Sequence, residues 1–321
     1  MRPAEISEIS ERINRIRANI GRVIVGREEA VDLLLATLAA GGHALLEDVP
    51  GMGKTLLAKA LARSLGCDFK RVQFTPDLLP SDLSGIYFFN QQTGAFEFRP
   101  GPLFTHILLA DEINRATPRT QASLLESMEE RQITIEGKTH VLRQPFMVIA
   151  TQNPVEHRGT FPLPEAQLDR FLMRISFGYP SFEDEVAILE RFRERNPLDD
   201  LAPVLSAEEA VNLQRLSASV RVHPDLVRYI VRIAEASRRH PDVALGISPR
   251  GSQALLRAAQ AYALVQGRDH VVPDDVKRLA VPVLAHRLLL HYAAPGRASR
   301  PEEVVRGVLA EIEVPAESLS P

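Results

Sequence analysis

A glycine-rich run, Pro50-Gly51-Met52-Gly53-Lys54-Thr55, stands between an apolar segment and a helical pattern. This is the sequence context of a loop that binds phosphate groups. Glycines let backbone N–H groups fold around phosphate oxygens, and the start of the following helix adds a favourable dipole. In such a loop Lys54 meets the β- and γ-phosphates, and the Thr55 hydroxyl holds Mg²⁺. The complete pattern has glycine at position 48, where this chain has Asp48, so a glycine turn that only caps a helix stays open as an alternative.

An acidic pair ends the apolar run Ile107-Leu108-Leu109-Ala110-Asp111-Glu112. A buried strand of an open α/β sheet delivers the residues at its carboxyl end to the ligand crevice. There Asp111 is placed to hold the Mg²⁺ shell, and Glu112 to orient and deprotonate the attacking water. The alternative is a strand that runs out into an acidic surface turn. The phosphate-loop pattern upstream favours the nucleotide site.

Motifs that are missing from the chain favour ATP as the nucleotide. Guanine-specific GTPases carry an Asn-Lys-x-Asp motif, and none of the five lysines here follows an asparagine. A G-x-G-x-x-G dinucleotide loop is also missing, because Gly51-Met52-Gly53 continues into Lys54 without a third glycine. The chain has no H-E-x-x-H or paired C-x-x-C pattern, so the nine histidines are predicted to be surface or capping residues.

Three polar residues are further candidates for the site. Asn153 follows the fourth strand pattern, where its amide is placed to touch the γ-phosphate, although an Asn-Pro pair is equally typical of a turn. Arg250 follows a Ser-Pro pair that suits the N-cap and first turn of a helix, so its side chain is predicted to extend from the start of that helix. Arg170 precedes the fifth strand pattern; on residue type alone, an arginine is more often a surface ion-pair partner.

The elements that position these residues follow from the apolar patterns. Up to residue 178, short apolar runs alternate with helical patterns, which is typical of an α/β domain with a mostly parallel sheet. From residue 179 the pattern is helical. We therefore expect an α/β nucleotide-binding domain (residues 1–178) and an all-α lid (residues 179–321), with ATP in the cleft between them and Arg250 reaching it from the lid. The predicted strands are Ala44–Glu47, Phe69–Phe74, Ile107–Ala110, Phe146–Thr151 and Phe171–Ser176.

Two helices and two hairpins complete this prediction for the α/β part. Isoleucines at three- and four-residue spacing predict an amphipathic helix from Ile6 to Ile20, and a second helix follows from about Arg27 to Ala40. Turn residues within alternating patterns predict two hairpins. The first spans Tyr87–Phe98 and turns at Gln92–Gly94, and the second spans Gln132–Val141 and turns at Glu136-Gly137.

The composition is that of a globular chain of two domains, with 321 residues, 45% apolar and 25% charged. A net charge of -3 argues against a broad surface for nucleic acids. Cys67 is the single cysteine, which excludes an intrachain disulfide and suits a reducing cytosol. The start of the chain lacks the pattern of a signal peptide, and no apolar run has membrane-spanning length. We expect a cytoplasmic protein without a membrane span.

Eight motifs distributed along the chain belong together: Leu45–Gly51 with Gly53–Thr55, Gln73–Asp82, Phe98–Pro102, Ala110–Arg115, Leu125–Glu130, Ala150–Pro154, Leu163–Phe171 and Ser248–Arg250. In this combination they resemble the AAA+ ATPases, and more closely the MoxR family. The resemblance covers nearly the whole chain, from about residue 5 to residue 315. MoxR-like proteins share the aspartate at position 48, so the missing glycine no longer counts against a phosphate loop.

The resemblance implies a role for each candidate. Asn153 matches sensor 1, Arg250 matches sensor 2, and Arg170 matches the arginine finger that acts on the neighbouring subunit, with Arg115, Arg119, Arg158 and Arg174 as nearby alternatives. The implied catalytic residues are Glu112, Lys54, Asn153, Arg170 and Arg250. Gly26 matches the segment beside adenine, and both hairpins match insertions that face the pore or the client. The implied cofactor-binding residues are Gly26, Pro50, Gly51, Met52, Gly53, Lys54, Thr55 and Leu56, with Thr55 and Asp111 for the metal.

The resemblance also implies a biological setting. MoxR-like proteins resemble chaperones that use ATP to remodel proteins, assemble complexes or insert metals and cofactors. We expect ATP and Mg²⁺ as cofactors, a homo-oligomeric ring of six subunits, and a separate partner with a von Willebrand factor A domain.

The second class considered is a nucleic-acid motor or loader. The first hairpin has no basic residue before Arg99, and the second offers Lys138 with His140 and, beyond it, Arg143, which favours protein clients. A scaffold that binds ATP and barely hydrolyses it is disfavoured by Glu112.

Overall fold

A computed structural model describes residues 3–49, 51–153, 159–193, 196–291 and 300–315. Its helices are α1 (Pro3–Gly21), α2 (Glu28–Ala39), α3 (Lys54–Ser64), α4 (Pro80–Ser84), α5 (Pro118–Glu130), α6 (Glu165–Leu168), α7 (Phe182–Phe192), α8 (Ala207–Ser217), α9 (Pro224–Arg239), α10 (Pro249–Val265), α11 (Pro273–Leu284) and α12 (Pro301–Glu311). Its strands are β1 (Ala44–Glu47), β2 (Phe69–Gln73), β3 (Gly85–Asn90), β4 (Ala95–Pro100), β5 (Ile107–Asp111), β6 (Gln132–Ile135), β7 (Lys138–Val141), β8 (Met147–Gln152), β9 (Met173–Ile175), β10 (Val243–Leu245) and β11 (Leu289–Leu290).

The central sheet of the described residues has the strand order β2-β5-β8-β1-β9, and every neighbouring pair is parallel. The carboxyl ends of its strands therefore lie at one edge. After β1 the chain crosses to the β2 edge of the sheet and then returns to β8 beside β1, and a ligand crevice opens at such a point. The segments after β1, β5 and β8 consequently meet at this crevice.

Alternate strand residues enter two different apolar cores. On one face Leu45, Leu108 and Val148 pack with Leu124 of α5. On the other face Leu46 and Ile149 pack with helices α1, α2 and α3. Because both faces are covered, the three central strands β5, β8 and β1 are mostly apolar and buried, as parallel strands usually are, while the edge strand β2 keeps exposed polar residues.

The described residues after 178 are mostly helical, as predicted for the lid, and α10 and α8 share the second core with α2. The buried face of α10 is rich in alanine, including Ala254, Ala258 and Ala261, so it packs close to its neighbours. The sequence did not predict one feature, an antiparallel ribbon in which Val243 pairs with Leu290 and Leu245 pairs with Leu289. Strands of two and three residues are too short to leave a period-two pattern.

Both predicted hairpins are present. The first pairs β3 with β4 and the second pairs β6 with β7. Phe89 and Phe96 are exposed near the tip of the first hairpin, with ring centroids 5.4 Å apart. At the base, Phe98 stacks on His140 of the second hairpin at 4.5 Å. The two hairpins therefore contact each other through an aromatic pair.

The fold class is confirmed as an α/β nucleotide-binding domain with a parallel sheet followed by a helical lid. The five predicted strands are the five strands of the sheet, and their ends agree to within two residues. The domain boundary at residue 178 stays a prediction. No described helix combines the length and apolar character needed to cross a bilayer.

Candidate nucleotide-binding site

A cavity of about 440 Å³ opens at the carboxyl edge of the sheet. It brings together predicted residues that are far apart in the chain, from the loop after β1, from the end of β5 and from the segment after β8. Its lining residues are Gly51, Met52, Gly53, Lys54, Thr55, Leu56, Arg71, Gln73, Asp111, Glu112, Thr151 and Asn153. Pro50, also predicted here, lies outside the described residues.

The described residues of the phosphate loop, 49 and 51–55, have the backbone that the glycines allow. Gly51 and Gly53 have φ angles of 87° and 82°, and Gly53 is the N-cap of α3. Only glycine adopts this region of φ without strain. The first residues of α3, Lys54, Thr55 and Leu56, line the cavity, and a helix N-terminus in this place is suited to bind phosphate oxygens.

Lys54 Nζ is held by the phosphate loop itself. It donates to the Asp48 carbonyl oxygen at 2.6 Å and to the Val49 carbonyl oxygen at 3.5 Å. Burial lowers the pKa of Lys54, and the carboxylates of Asp48, Asp111 and Glu112 act against that shift. A half-buried ammonium group thus lines a cavity that suits phosphate anions.

Asp111 and Thr55 offer a carboxylate and a hydroxyl beside the phosphate loop. One Asp111 oxygen accepts from Thr151 Oγ1 at 2.6 Å, and the other accepts from Arg71 Nη2 at 2.7 Å. Among the described residues no cluster of three His, Cys, Asp or Glu side chains could cage a metal. Mg²⁺ usually needs only one or two protein oxygens when substrate phosphates supply others. These donors therefore fit a magnesium ion shared with the nucleotide.

Glu112 follows β5 in a left-handed turn with φ of 56°. Its carboxylate accepts from Gln73 Nε2 at 2.6 Å and lies 3.0 Å from Arg115 Nε. Its backbone N–H donates to Thr151 Oγ1 at 2.8 Å. The Thr151 hydroxyl thus ties both acidic residues to β8, while Gln73 directs the Glu112 carboxylate toward β2.

A second cavity, of about 330 Å³, adjoins the phosphate loop and shares its walls at Gly51, Met52, Gly53 and Leu56. An apolar slot beside a phosphate cavity fits a purine base. Gly26, predicted beside adenine, lies between two lining residues, and its φ of 64° and contact with the Asp184 carboxylate leave no room for a side chain. The remaining lining residues are Val23, Ile24, Val25, Arg27, Leu57, Phe177, Pro180, Ile188 and Phe192.

Asp48, which stands where the usual pattern has glycine, ties the phosphate loop to this second cavity. Its buried carboxylate accepts from Ser176 Oγ at 2.9 Å, from Phe177 N at 2.6 Å and from Gly178 N at 3.2 Å. Arg27 binds the carbonyl groups of the same two residues, and it donates to the Phe177 and Gly178 carbonyl oxygens at 2.7 and 2.9 Å. These contacts explain why aspartate stands at position 48, because glycine has no side chain to accept from these donors.

Arg170 and Arg250 lie together in a third cavity, of about 220 Å³, and neither lines the cavity at Lys54. Arg250 Nη2 donates to Oε1 of Glu129, and Arg170 Nη2 lies 3.3 Å from the other Glu129 oxygen. Arg250 Nε also lies 3.6 Å from Asp169. One carboxylate thus holds an arginine from each domain.

This placement corrects the expectation that Arg250 reaches its own nucleotide across the cleft. The reason is the packing of α10, which lies along α2 and so sets its first turn beside the end of α5. The lid instead contributes α7 to the base cavity, through Ile188 and Phe192.

The alternative arginines have other surroundings. Arg115 pairs with Glu112 of its own site, Arg174 pairs with Glu47 at 3.4 Å and with Glu302, and Arg119 is exposed. Arg158 lies outside the described residues. Within the described part of the chain, Arg170 is thus the candidate that stands beside Arg250.

Comparison with known proteins agrees with this geometry. The ATPase family associated with various cellular activities (AAA) matches residues 43–173, and the AAA lid domain matches residues 235–308. The uncharacterized protein YeaC of Bacillus subtilis is 52% identical over 93% of this chain and 93% of its own. The chaperone MoxR1 of Mycobacterium tuberculosis is 43% identical over 94% of this chain and 82% of its own. The chain belongs to the MoxR family of AAA+ ATPases.

A solved structure supports the family fold. The crystal structure of a Cytophaga hutchinsonii protein assigned as an ATPase has a TM-score of 0.91, with 37% identity and coverage of 98% of both chains. The AAA match contains the phosphate loop, the acidic pair, Asn153 and Arg170, and the lid match contains Arg250. This MoxR-family chain is therefore an ATPase, and ATP is its substrate.

Sequence reasoning missed four residues that shape this MoxR-family site: Arg71, Gln73, Thr151 and Glu129. Arg71 and Gln73 are two residues apart on β2, so their side chains leave the same face of the strand, next to β5. Polar residues at this spacing near the end of a strand are a usable signal. The position of Glu129 gives no such signal, because its partners come from distant segments.

Proposed function

We propose that this chain forms a ring in which each subunit binds ATP with Mg²⁺ and hydrolyses it to remodel client proteins. The single observation that carries the ATP site is the cavity in which Lys54, Thr55, Asp111, Glu112 and Asn153 meet. They come from three separate segments, and each brings a group that phosphoryl transfer to water requires.

The roles in the proposal follow from chemistry and position. The phosphate loop and Lys54 bind the β- and γ-phosphates, and Thr55 and Asp111 hold Mg²⁺, which neutralises phosphate charge when bound. Glu112 takes a proton from the attacking water, and Asn153 orients that water. To accept a hydrogen bond from that water, the Glu112 carboxylate must break its hydrogen bond with Gln73 Nε2, at 2.6 Å, or keep it and use its other lone pairs.

Arg170 and Arg250 complete the site of the neighbouring subunit in this proposal. Two observations support it. The two side chains share Glu129, and neither lines its own phosphate cavity. Their charge therefore stabilises phosphate only if another subunit presents its nucleotide to them, in a head-to-tail interface of the kind that closes into a ring. We infer six subunits from the family.

The proposed clients are proteins. The tip of the first hairpin exposes Phe88, Phe89 and Phe96, an apolar surface that fits unfolded or flexible peptide. On the second hairpin the Lys138 ammonium lies 5.0 Å from the Tyr87 ring centroid, so it is engaged within the chain. These contacts support a remodelling chaperone over a nucleic-acid motor. A von Willebrand factor A domain protein is the expected separate partner, and the cytoplasm is the expected location.

A client-trapping experiment tests the remodelling proposal. Glu112→Gln keeps the shape of the side chain and removes the base, so hydrolysis should fall about a hundredfold or more while ATP still binds. Lys54→Ala should lose ATP binding. Affinity capture in ATP should recover client proteins with Glu112→Gln and not with Lys54→Ala. Adding Phe89→Ser and Phe96→Ser to Glu112→Gln should release them.

The outcomes separate the two parts of the proposal. Normal hydrolysis by Glu112→Gln would reject the ATP site. If equal sets of proteins were captured by Glu112→Gln with intact and with substituted hairpins, the hairpins would not be the client surface. Capture of nucleic acid in place of protein would favour the motor.

A further inference from the structure

Helix α7 carries an apolar stripe that nothing in the described chain covers. Phe182, Val186 and Leu189 recur at four- and three-residue steps along α7 and so share one side of the helix. Together with Tyr179, which lies just before the N-cap Ser181, they are here called the α7 stripe. Tyr179 is 79% exposed, Phe182 78% and Leu189 68%, and α7 buries none of its residues. Large apolar groups clustered on a surface mark a place where another molecule binds.

The side of α7 next to the stripe faces the base cavity. Ile188 and Phe192 line that cavity, together with Pro180 just before the helix. The helix is anchored there, because Ser181 caps it and Arg191 Nη1 donates to the Gly21 carbonyl at 2.6 Å. The α7 stripe therefore lies on the solvent side of a helix that forms part of the wall of the base cavity, and a partner bound to it stands beside the nucleotide.

A second exposed apolar patch lies beside the arginine pair. Leu245 and Leu289, here called the leucine ribbon, face each other across β10 and β11, and both are exposed. Leu289 follows Arg287 by two residues, and Arg287 Nε donates to Asp169 at 2.6 Å, which is also a partner of Arg250. The leucine ribbon thus adjoins the surface that presents Arg170 and Arg250.

The two patches carry opposite charge at their borders. Glu183, Glu185 and Glu190 are exposed on α7 beside its stripe. Arg238 packs its backbone against Gly246, next to Leu245, and its side chain is exposed, as is that of Arg257 in the arginine cavity. An apolar centre with complementary charged borders is the composition of a specific interface.

We propose that the leucine ribbon of one copy of this chain covers the α7 stripe of the next copy. This contact rests on the proposed trans role of Arg170 and Arg250, and it accounts for how they reach a nucleotide. Docking the ribbon on the outer wall of the base cavity brings the adjoining arginines to the edge of the neighbour's phosphate cavity. The two patches differ, so the contact is head-to-tail and repeats around a ring.

Cysteine crosslinking tests this contact in the full-length chain. Leu189→Cys and Leu245→Cys are each placed in a separate chain, and the two are mixed with ATP and oxidised. Burial raises the pKa of the native Cys67 thiol to about 12, so the introduced thiols are the reactive ones. The mixture should give disulfide-linked pairs containing one chain of each kind, and neither variant alone should give them.

Assembly gives a second measurement. Leu189→Asp and Leu245→Asp should each reduce assembly in ATP at least about tenfold in sedimentation experiments, while Phe96→Asp, an equally exposed apolar position on the hairpin, should assemble normally. Far-UV circular dichroism and ATP affinity confirm that the variants are folded. Lys54→Ala and Glu112→Gln, assayed in parallel, test the ATP site separately.

Several results would overturn the inference. Leu189→Cys chains that crosslink to each other would show a symmetric contact. Mixed chains that assemble without crosslinking would place the interface elsewhere, as would normal assembly of Leu189→Asp. A native chain that stays monomeric in ATP would also reject it, whereas wild-type hydrolysis by Lys54→Ala would reject the proposed ATP site instead.

Discussion

At the scale of single residues, the site depends on a few polar groups whose hydrogen-bond partners are fixed. Thr151 joins Asp111 and Glu112 through one hydroxyl, and Gln73 holds the Glu112 carboxylate at 2.6 Å. Such groups lose little entropy when substrate arrives, because the fold has already ordered them. The same argument applies to Asp48, whose three donors lie on the segment that lines the base cavity.

The Asp48 contacts give a prediction that opposes the usual sequence pattern. Asp48→Gly restores the glycine of the general phosphate-loop motif but leaves the N–H groups of Phe177 and Gly178 without their acceptor. Losing a buried acceptor costs about 1–3 kcal/mol, so ATP affinity should fall at least about tenfold. Affinity for inorganic tripolyphosphate, which has no base, should change much less.

Titration calorimetry with both ligands measures this split. Asp82→Asn is the matched control, since the Asp82 carboxylate also accepts a backbone N–H, from Leu79 at 2.8 Å, but caps α4 outside the cavities. If Asp48→Gly bound ATP as tightly as the native chain, the carboxylate would not position the base cavity. An equal loss for both ligands would assign Asp48 to the phosphate loop alone.

At the scale of elements, the sequence predicted what local patterns encode. Short runs rich in apolar residues predicted the five strands of the sheet, and Glu136-Gly137 and Gln92–Gly94 predicted the two hairpin turns. The ribbon of Leu245 and Leu289 and the position of Arg250 were not predictable in this way. Which side of the sheet α10 packs on depends on long-range contact with α2, and no local pattern in either helix records it.

One element contact gives a pH prediction. His43, just before β1, accepts from Val148 N at 2.9 Å and contacts the Met128 carbonyl at 3.1 Å, so it joins β8 to α5. Burial, with help from the Arg131 charge, lowers the pKa of His43 to about 3. In the unfolded chain the pKa is near 6.5. Below pH 6.5 the unfolded chain therefore binds a proton at His43, and the folded chain does not.

The free energy of unfolding should thus fall as the pH drops below 6.5, and His43 alone should contribute about 2 kcal/mol of that loss between pH 7 and pH 5. His43→Gln keeps a donor and an acceptor and does not titrate, so urea unfolding at both pH values should show a smaller loss. His270→Gln, at an exposed histidine, is the control and should keep the native slope. Equal slopes for His43→Gln and the native chain would contradict the assignment.

At the scale of the whole molecule, the two groups of residues proposed to act on ATP lie on different surfaces of the chain. Lys54 and Glu112 line one cavity, and Arg170 and Arg250 line another, with Glu129 between the two arginines. Helix α5 runs from the turn that holds Arg115, the partner of Glu112, to Glu129. In the proposed ring each subunit supplies half of each of two sites, and our proposal therefore requires neighbours for hydrolysis.

Complementation between two inactive variants tests this requirement most directly. Arg170→Ala should bind ATP and hydrolyse it on the order of a thousandfold more slowly, and Lys54→Ala should not bind it. Mixed rings contain interfaces that pair an intact phosphate loop with an intact Arg170, so the mixture should regain hydrolysis, with mixed assembly verified by differently tagged chains. Full activity of Arg170→Ala alone, or no activity in verified mixed rings, would contradict the account.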